Sequence, residues 1–483
     1  MASGDMIMDI STFRGLDQSQ SGVHKDIRTS PDMANFVIAD GMMMSAPGAR
    51  AWGPALPVSS EGATIMEAAY HRADGSTEFR LIAGAGGNLY RLDGGSWVQV
   101  GSGYKSDKWD AINYRKNTEE WHIITNGADE IQYSAKDSVS YQALEGAPVK
   151  ARCITLSDER LWIGGVDNDQ EVVYWSWDND PNNWSVDLEN PQQGGGFIYI
   201  RTHDGTKVIA VKALLNDVVI FKDRSLHRIT GSYPGEYELV NVYGETGPIS
   251  ENTIVSTGGS VFFLCAQGLC LYNGMTVETL ALSAGDSRLE QLAGRINRAA
   301  ADRACSVIHK GIMYVALPID GSTANNAVII YDMTEGIYTL LTGYRVDSWL
   351  VYHAENTEKL LFTRGNRVME MAGDTNDGQL IEAHWLSPWF DAGTKSARKT
   401  TGRVYLSIEA KSMTGGNPQI MLTMESEKKK REKIVEIKKE GINVIRPRVK
   451  LRGRIIRMGI KTVNGTRLTI HQGVQVKLES DED

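Results

Sequence analysis

Hydrophobic and polar residues alternate along this chain in short runs, and glycine-rich turns separate the runs. Residues 83–100, AGAGGNLYRLDGGSWVQV, predict a strand, a glycine turn, a second strand and another turn. Residues 261–280, VFFLCAQGLCLYNGMTVETL, repeat the same order of elements. A pattern that recurs along a chain indicates a repeat architecture, because each small sheet needs a neighbour to cover its hydrophobic face.

The recurring pattern occurs seven times. The seven segments begin at Glu78, Glu120, Glu159, Asp217, Ser260, Gly311 and Glu358. Their starts lie about 40 to 55 residues apart, which is the spacing of four-stranded propeller blades. The sequence therefore predicts an all-β fold with a β-propeller over residues 61–377, of six to eight blades with seven favoured.

One segment interrupts the strand pattern. Residues 286–304, DSRLEQLAGRINRAAADRA, place Leu289, Leu292 and Ile296 on one stripe. This spacing predicts a short helical insertion near 286–304, with a cap at Ser283 or Asp286. We expect the insertion to cover one sheet edge.

The two ends of the chain differ from the repeats. Residues 1–60 carry turn clusters such as GLDQSQSG and predict an extended N-terminal docking arm with one or two strands, such as MANFVIADG. Residues 378–483 contain six longer alternating segments. These segments predict a separate C-terminal antiparallel β-sandwich.

A row of basic residues marks one C-terminal strand. Five basic side chains share one face, namely Arg446, Arg448, Lys450, Arg452 and Arg454, and Val449, Leu451 and Ile455 share the other. The apolar phase slips by one residue at 455–456, which predicts a β-bulge. The row is either a contact for DNA or an acidic neighbouring subunit, or a solvated face with cross-strand partners such as Glu432 and Glu436.

Composition and charge argue against several classes of protein. The 483 residues carry a formal net charge of −9, which argues against a protein whose main task is to grip nucleic acid. The chain lacks a long apolar run and a basic leader, so we expect no spanning helix and synthesis in a cytoplasm. The four cysteines lack zinc or disulfide spacing and are expected to be buried free thiols, namely Cys153, Cys265, Cys270 and Cys305.

Motifs for catalysis are absent from the sequence. There is no metalloprotease motif, nucleophile elbow or Walker loop, and GAGGNL does not open a helix as a dinucleotide fingerprint must. The nine histidines show no metal spacing. We therefore expect a protein that is not an enzyme, with no catalytic, cofactor-binding or metal-binding residues.

The most metal-like segment is DNDPNNWSVDLE, residues 178–189. Asp178, Asp180, Asn182 and Glu189 occupy the first, third, fifth and twelfth positions of a calcium loop. Asn183 stands where that loop needs glycine. The alternative interpretation is a long inter-strand turn capped by asparagine and aspartate side chains, with Trp177 and Trp184 packed beneath.

The opening segment resembles the start of tail proteins of double-stranded-DNA bacteriophages. The shared residues are Phe13, Gly15, Leu16, Asn35, Gly41, Pro47 and Gly48. Ala46 stands where an arginine usually precedes the proline. Further segments are similar to the same family, namely residues 158–184, 214–232, 247–274, 389–409 and 448–460. The group that the chain resembles is the nozzle, hub or stabilisation proteins of short-tailed phages.

The resemblance implies a structural virion protein of the tail. Such a protein forms a homo-oligomeric ring, commonly a hexamer, around the DNA-ejection channel. Its partners are other tail proteins, on the adaptor or portal side and at the fibres or needle, and genomic DNA passes through without sequence-specific binding. The implied location is the virion tail, after assembly in the host cytoplasm. No catalytic residue or cofactor comes with the resemblance.

Two other functions stay open. A receptor- or glycan-binding propeller would need exposed aromatic clusters, for which the candidates are Trp97, Trp162, Trp175, Trp177 and Trp184. A carbohydrate-active enzyme would need two carboxylates held a few ångströms apart. The acidic residues are spread through turns along the whole chain, so the sequence does not bring any pair together.

Overall fold

The computed structural model describes the chain except for residues 1–5, 20–24, 117, 149, 167, 245, 267, 281–287, 355–356, 394–395, 440 and 482–483. Within the described residues, nearly all regular structure is antiparallel β-strand, which confirms the prediction of an all-β protein. Among these residues, no helix is long and apolar enough to cross a membrane.

The N-terminal segment and seven small sheets occupy the described part of residues 6–370. The N-terminal strands are β1 (Met6–Ile10), β2 (Asp32–Ala34), β3 (Phe36–Ala39), β4 (Met42–Ser45) and β5 (Arg50–Ala51). Sheet 1 contains β6 (Thr64–His71), β7 (Thr77–Ala85), β8 (Asn88–Asp93) and β9 (Ser96–Ser102). Sheet 2 contains β10 (Asp110–Lys116), β11 (Glu119–Thr125), β12 (Gln132–Ala135) and β13 (Gln142–Ala143). Sheet 3 contains β14 (Cys153–Ser157), β15 (Arg160–Val166), β16 (Asp169–Trp175) and β17 (Gly196–Tyr199).

The remaining four sheets of this part follow in chain order. Sheet 4 contains β18 (Val208–Leu214), β19 (Asp217–Lys222), β20 (Ser225–Thr230) and β21 (Glu238–Gly244). Sheet 5 contains β22 (Val255–Thr257), β23 (Ser260–Cys265), β24 (Gly268–Tyr272) and β25 (Val277–Leu280). Sheet 6 contains β26 (Cys305–His309), β27 (Ile312–Leu317), β28 (Ala327–Asp332) and β29 (Ile337–Thr342). Sheet 7 contains β30 (Ser348–Ala354), β31 (Thr357–Arg364), β32 (Arg367–Glu370) and β5.

The seven predicted segments coincide with these sheets. Each segment begins within one residue of the second strand of a sheet, for example at Glu78 in β7, at Asp217 in β19 and at Glu358 in β31. The local pattern therefore located the central hairpin of every sheet. The first strand of each sheet precedes its predicted segment, whereas residues 83–100 and 261–280 already include residues of the fourth strands β9 and β25.

Neighbouring sheets contact one another through their first strands. β6 contacts β10, and the contacts continue through β14, β18, β22 and β26 to β30, which contacts β6 again. Buried side chains fill the spaces between sheets. The ring centroids of Phe221 in sheet 4 and Phe263 in sheet 5 are 5.3 Å apart, and Leu361 of sheet 7 lies in one buried cluster with Leu81 of sheet 1. The contacts thus run in a closed cycle.

Sheet 7 takes its fourth strand from the N-terminal segment. In β5, Arg50 pairs with Glu370 and Ala51 with Met369 of β32. The Arg50 guanidinium also lies 2.7 Å from the Glu370 carboxylate. The first and last parts of the cycle are therefore held together by residues far apart in the sequence.

The helical insertion is shorter than the sequence predicts. Helix α1 (Glu290–Arg295) has Ile296 as its C-cap, and a 3₁₀ helix (Arg298–Arg303) follows. Two further 3₁₀ turns span Pro234–Glu236 and Glu251–Thr253. The predicted stripe is correct, because Leu289, Leu292 and Ile296 are all buried. The proposed caps, Ser283 and Asp286, lie outside the described residues.

The C-terminal part consists of two larger antiparallel sheets. Their strands are β33 (His384–Leu386), β34 (Arg398–Lys411), β35 (Gln419–Ser426), β36 (Lys430–Glu436), β37 (Ile442–Ile445), β38 (Arg452–Gly453), β39 (Ile456–Val463) and β40 (Arg467–Asp481). One sheet has the order β3-β4-β40-β34-β37, with β1 on β40 and β38 on β34. The other has the order β2-β33-β39-β35-β36. Side chains of both sheets share one hydrophobic core.

The N-terminal segment therefore docks on its own chain and supplies more strands than predicted. MANFVIADG is not one strand, because Asn35 has a positive φ of 59° and separates β2 from β3. The Asn35 side chain accepts a hydrogen bond from the backbone of Thr342 in sheet 6 and donates one to the carbonyl of Glu382. Asn35 thus connects the cycle of sheets to the C-terminal part.

Candidate interaction surfaces

The basic residues of 446–454 lie together on the surface, as the alternation predicts. All five basic side chains are exposed, while Val449 and Leu451 are buried. The segment is not one continuous strand, since β37 ends at Ile445 and β38 contains only Arg452 and Gly453. The prediction of which side chains are exposed and which are buried is correct, but the prediction of one continuous strand is wrong.

The predicted β-bulge at 455–456 is wrong. The chain bends at residues 454–455 and passes from one C-terminal sheet to the other. β38 pairs with β34 in the first sheet, and β39 pairs with β35 and β33 in the second. The buried set changes from odd to even positions at Ile456 because the core now lies on the other side of the backbone.

The expected cross-strand partners of the basic row do not pair with it. Glu432 pairs with Lys430 at 2.7 Å, and the Glu436 carboxylate accepts a hydrogen bond from Asn417. In the described part of the chain, no carboxylate pairs with Arg448 or Lys450. Residues 428–461 contain 14 basic and three acidic residues, so this segment carries a net charge of +11 and the rest of the chain −20.

Residues 178–189 form a turn held by their own polar groups. Asp180 pairs with Lys116 at 3.0 Å, and the Asp187 carboxylate accepts from two backbone N–H groups at 2.9 Å. Among the described residues, no group of three or more metal-binding side chains is placed to hold a metal ion. The side chains of Asp178, Asp180, Asn182 and Glu189 are therefore not brought together as a calcium site.

The tryptophan candidates do not build an exposed aromatic platform. Trp162 and Trp175 are buried and pack around Tyr237, with ring centroids 5.1 and 5.2 Å from it. The remaining candidates, Trp97, Trp177 and Trp184, are partly exposed. Each of their indole N–H groups donates a hydrogen bond to a backbone carbonyl. Their positions are those of packing residues.

The prediction of buried thiols is confirmed for all four cysteines. Burial raises the pKa of the Cys153 thiol to about 12, and it also raises the pKa of Cys305. The sulfur atoms of Cys265 and Cys270 lie 2.6 Å apart inside sheet 5. A thiol with a raised pKa is a weak nucleophile at neutral pH, and this applies to Cys153 and Cys305.

A polar cavity lies where the first strands of the sheets meet, and no sequence motif indicates it. The cavity encloses about 700 Å³, and Glu67, Asp110, Ser306 and Leu350 line it from four different sheets. A neighbouring cavity of about 510 Å³ shares Asp110 with it. Charged groups thus line the centre of the cycle.

Two ion pairs cross this centre. The Asp110 carboxylate of sheet 2 lies 3.2 Å from Lys212 Nζ of sheet 4, and it accepts a hydrogen bond of 3.1 Å from the Ile154 N–H of sheet 3. Arg152, just before sheet 3, pairs with Glu251, just before sheet 5. Burial is the largest single influence on the pKa of Lys212 and lowers it, but Asp110, Cys153 and Glu251 together outweigh burial and raise that pKa. These contacts tie together sheets that are not direct neighbours.

Several residues that carry the phage-tail resemblance are buried or lie where two backbone segments approach closely. Phe13 is buried with its ring edge-on to Trp385 at 5.4 Å. A Cβ on Gly15 would lie 2.4 Å from the Tyr338 carbonyl oxygen, and one on Gly48 would lie 2.2 Å from that of Thr375. Ala46, which departs from the pattern, is fully buried. The motif therefore describes how the N-terminal segment packs.

Comparison with known proteins assigns no family to the chain. The scan against protein-family models finds no match, and the search of curated proteins finds no significant match. The function is therefore argued from the residues and geometry described above.

Proposed function

We propose that this chain is a structural virion protein of a short-tailed double-stranded-DNA phage. It forms a ring, the nozzle or hub of the tail, around the DNA-ejection channel and attaches other tail parts. The proposal starts from the resemblance of residues 13–48 and of five further segments. The fold supports it, because a ring component needs a rigid wedge with large side surfaces.

The architecture that we propose is a seven-bladed β-propeller followed by a β-sandwich. The closed cycle of contacts from sheet 1 to sheet 7 supports the propeller. The shared core of the two C-terminal sheets supports the sandwich. In this architecture each four-stranded sheet is one blade, and β5 completes the last blade.

One observation carries the proposal of a rigid wedge. The N-terminal segment belongs to both parts of the chain, since β5 lies in sheet 7 while β1, β3 and β4 lie in a C-terminal sheet. Its residues also contact the outer strand of sheet 6, where Leu16 donates to the Tyr338 carbonyl at 2.7 Å. Strands shared between the two parts resist rotation of one part against the other, and a ring around the DNA channel needs this rigidity.

The partners follow from the same proposal. The ring is a homo-oligomer, with a hexamer as the expected state, between the adaptor or portal side and the fibres or needle. DNA passes through without sequence-specific binding, and an acidic lumen would keep it from adhering. The protein is assembled in the host cytoplasm and resides in the virion tail.

The test is immunogold electron microscopy of phage particles whose genome encodes this chain. Antibodies against the purified protein are expected to label the tail, and mass spectrometry of the particles is expected to detect the chain in several copies per particle. Absence of the chain from purified particles, or labelling confined to the capsid shell, would overturn the proposal.

A further inference from the structure

Sheet 3 and the loop before its last strand form an acidic surface. Residues 161–200 contain seven acidic residues and no lysine, arginine or histidine. Asp178 and Glu189 are exposed, and no basic side chain pairs with either of them within the described part of the chain. We call the exposed residues of 178–199 the acidic surface. A long stretch with a single sign of charge favours a partner of the opposite sign.

The acidic surface also exposes large apolar side chains. Phe197 and Tyr199 of β17 are 48% and 44% exposed, and Val186 and Leu188 of the preceding loop are 56% and 88% exposed. β17 is the last strand of its sheet, so one row of its backbone groups is unpaired. Exposed apolar side chains rimmed by charge are typical of interaction sites.

The basic surface has the same construction with the opposite charge. We define it as the exposed residues of 428–454. It exposes Ile434 of β36 and Ile442 and Val444 of β37, each about 60% exposed. β36 and β37 are edge strands of their two sheets. Both surfaces therefore offer apolar side chains on an edge strand and carry opposite net charges, −4 over residues 178–199 and +9 over residues 428–454. Each also borders or contains the other sign, since Arg201 lies 4.4 Å from the Tyr199 ring centroid and Glu432 and Glu436 are exposed on the basic surface.

The two surfaces lie far apart in the order of strands and sheets. The C-terminal sheets contact β29 of sheet 6 through β2 and β3. β36 and β37 lie at the other edges of those sheets, about 19 Å away at four strand spacings. In the cycle of seven, sheet 3 is three sheets from sheet 6, which is the largest separation possible. This separation along the topology leaves each surface free to contact a second copy of the chain.

We propose that the basic surface of one copy of this chain docks on the acidic surface of a second copy. This contact deepens the proposed function, on which it rests, by naming the surfaces that join ring subunits. Because different surfaces meet, the contact is head-to-tail, and such contacts generate a closed ring or an open filament. We assign a second copy as the partner on charge complementarity, because residues 428–461 carry a net charge of +11 and the rest of the chain carries −20.

The test measures self-association of the full chain by analytical ultracentrifugation. Arg448→Glu/Lys450→Glu and Asp178→Lys/Glu189→Lys reverse two exposed charges on one surface each. Each pair of changes is expected to raise the dissociation constant about 30-fold, and the four changes together to restore it to within about threefold. Added salt is expected to weaken the wild-type contact.

The matched control is Lys105→Glu/Arg224→Glu, which reverses two exposed basic residues outside both surfaces. It is expected to leave self-association unchanged. If the wild type associates but neither surface variant weakens it, the assigned surfaces are wrong while the proposed ring stands. A chain that stays monomeric in low salt would overturn both.

Nucleic acid is the competing partner for the basic surface. Binding to a DNA duplex, measured by fluorescence anisotropy, is expected to be weak and similar for wild type and Arg448→Glu/Lys450→Glu. Tight binding that this variant abolishes, together with unchanged self-association, would overturn the proposal in favour of a DNA contact.

Discussion

Asp110→Asn tests whether charges at the centre of the cycle hold its sheets together. The substitution keeps the shape of the side chain and an oxygen that accepts from the Ile154 N–H, and it removes the charge opposite Lys212. Lys212 and Asp110 are 23% and 28% exposed, so the pair lies between a surface and a buried ion pair. The change therefore isolates one electrostatic contact between sheets 2 and 4.

The expected loss follows from this partial burial. A hydrogen bond to a charged group contributes about 1.5 to 3 kcal/mol, whereas an exposed ion pair contributes at most about 1 kcal/mol. Since about three quarters of each side chain is buried, we expect the free energy of unfolding to fall by about 2 kcal/mol. For a chain of this length that unfolds as one unit, this lowers Tm by about 2 °C.

The pH dependence provides a second measurement of the same contact. The pKa of Lys212 is raised in the folded chain, so the pair stabilises the fold below the ordinary lysine pKa of about 10.4. The stabilisation is lost as pH rises through the higher folded value. The difference between wild type and Asp110→Asn is therefore expected at neutral pH and should vanish at strongly alkaline pH.

The assay is thermal and urea unfolding of wild type, Asp110→Asn, Lys212→Met and the double variant. The double-mutant cycle is expected to give a coupling of about 1 to 2 kcal/mol. Equal stability of wild type and Asp110→Asn at neutral pH, or a coupling near zero, would show that this ion pair does not stabilise the contact between sheets 2 and 4.

Three further predictions concern buried groups. The Lys222 side chain is fully buried, with Nζ 3.1 Å from Glu171; Lys222→Ala is expected to cost about 3 to 4 kcal/mol in urea unfolding and Lys222→Met about half of that, and equal stability of the three proteins would contradict this. Burial lowers the pKa of His122 to about 3, so stability should fall by about 1.4 kcal/mol per unit as pH drops below about 6.5; urea unfolding of His122→Gln should lack this component, and identical pH profiles would contradict the assignment. A Cβ at position 48 would lie 2.2 Å from the Thr375 carbonyl oxygen, so Gly48→Ala is expected to lower the free energy of unfolding by at least about 2 kcal/mol. The same change is expected to make the N-terminal segment sensitive to protease. Protease resistance equal to that of the wild type would contradict the close approach of these two backbone segments.

Local pattern was enough to find the central hairpin of every sheet. In five of the seven sheets only two residues separate the second and third strands, as in residues 83–93, so their alternation is visible in one short window. The fourth strand of sheet 7 has no such signal. Arg50 and Ala51 pair with residues more than 300 positions away, and two residues carry no periodicity. That closure is a property of the tertiary fold.

The phase slip at Ile456 shows a second limit. A bulge within one strand and a bend between two sheets both move the buried set by one residue, so the sequence signature is the same. The two can be distinguished only in three dimensions, where β38 pairs with β34 in one sheet and β39 pairs with β35 in the other. The exposed basic row was predictable, since its alternation holds in either geometry.

The helix and the central ion pairs illustrate what tertiary packing adds. The stripe of Leu289 and Leu292 was visible, but Asn297 caps a new 3₁₀ turn and ends the helical pattern early. Asp110 and Lys212 are 102 positions apart, so no window connects them. The acidic surface, in contrast, was detectable, because a count of charges over residues 161–200 finds no basic residue.

The decisive measurement is single-particle electron microscopy of the purified full chain at low ionic strength. We expect closed rings in which residues 428–454 of each copy contact residues 178–199 of the next. Isolated monomers, or two-fold dimers that join identical surfaces, would contradict it.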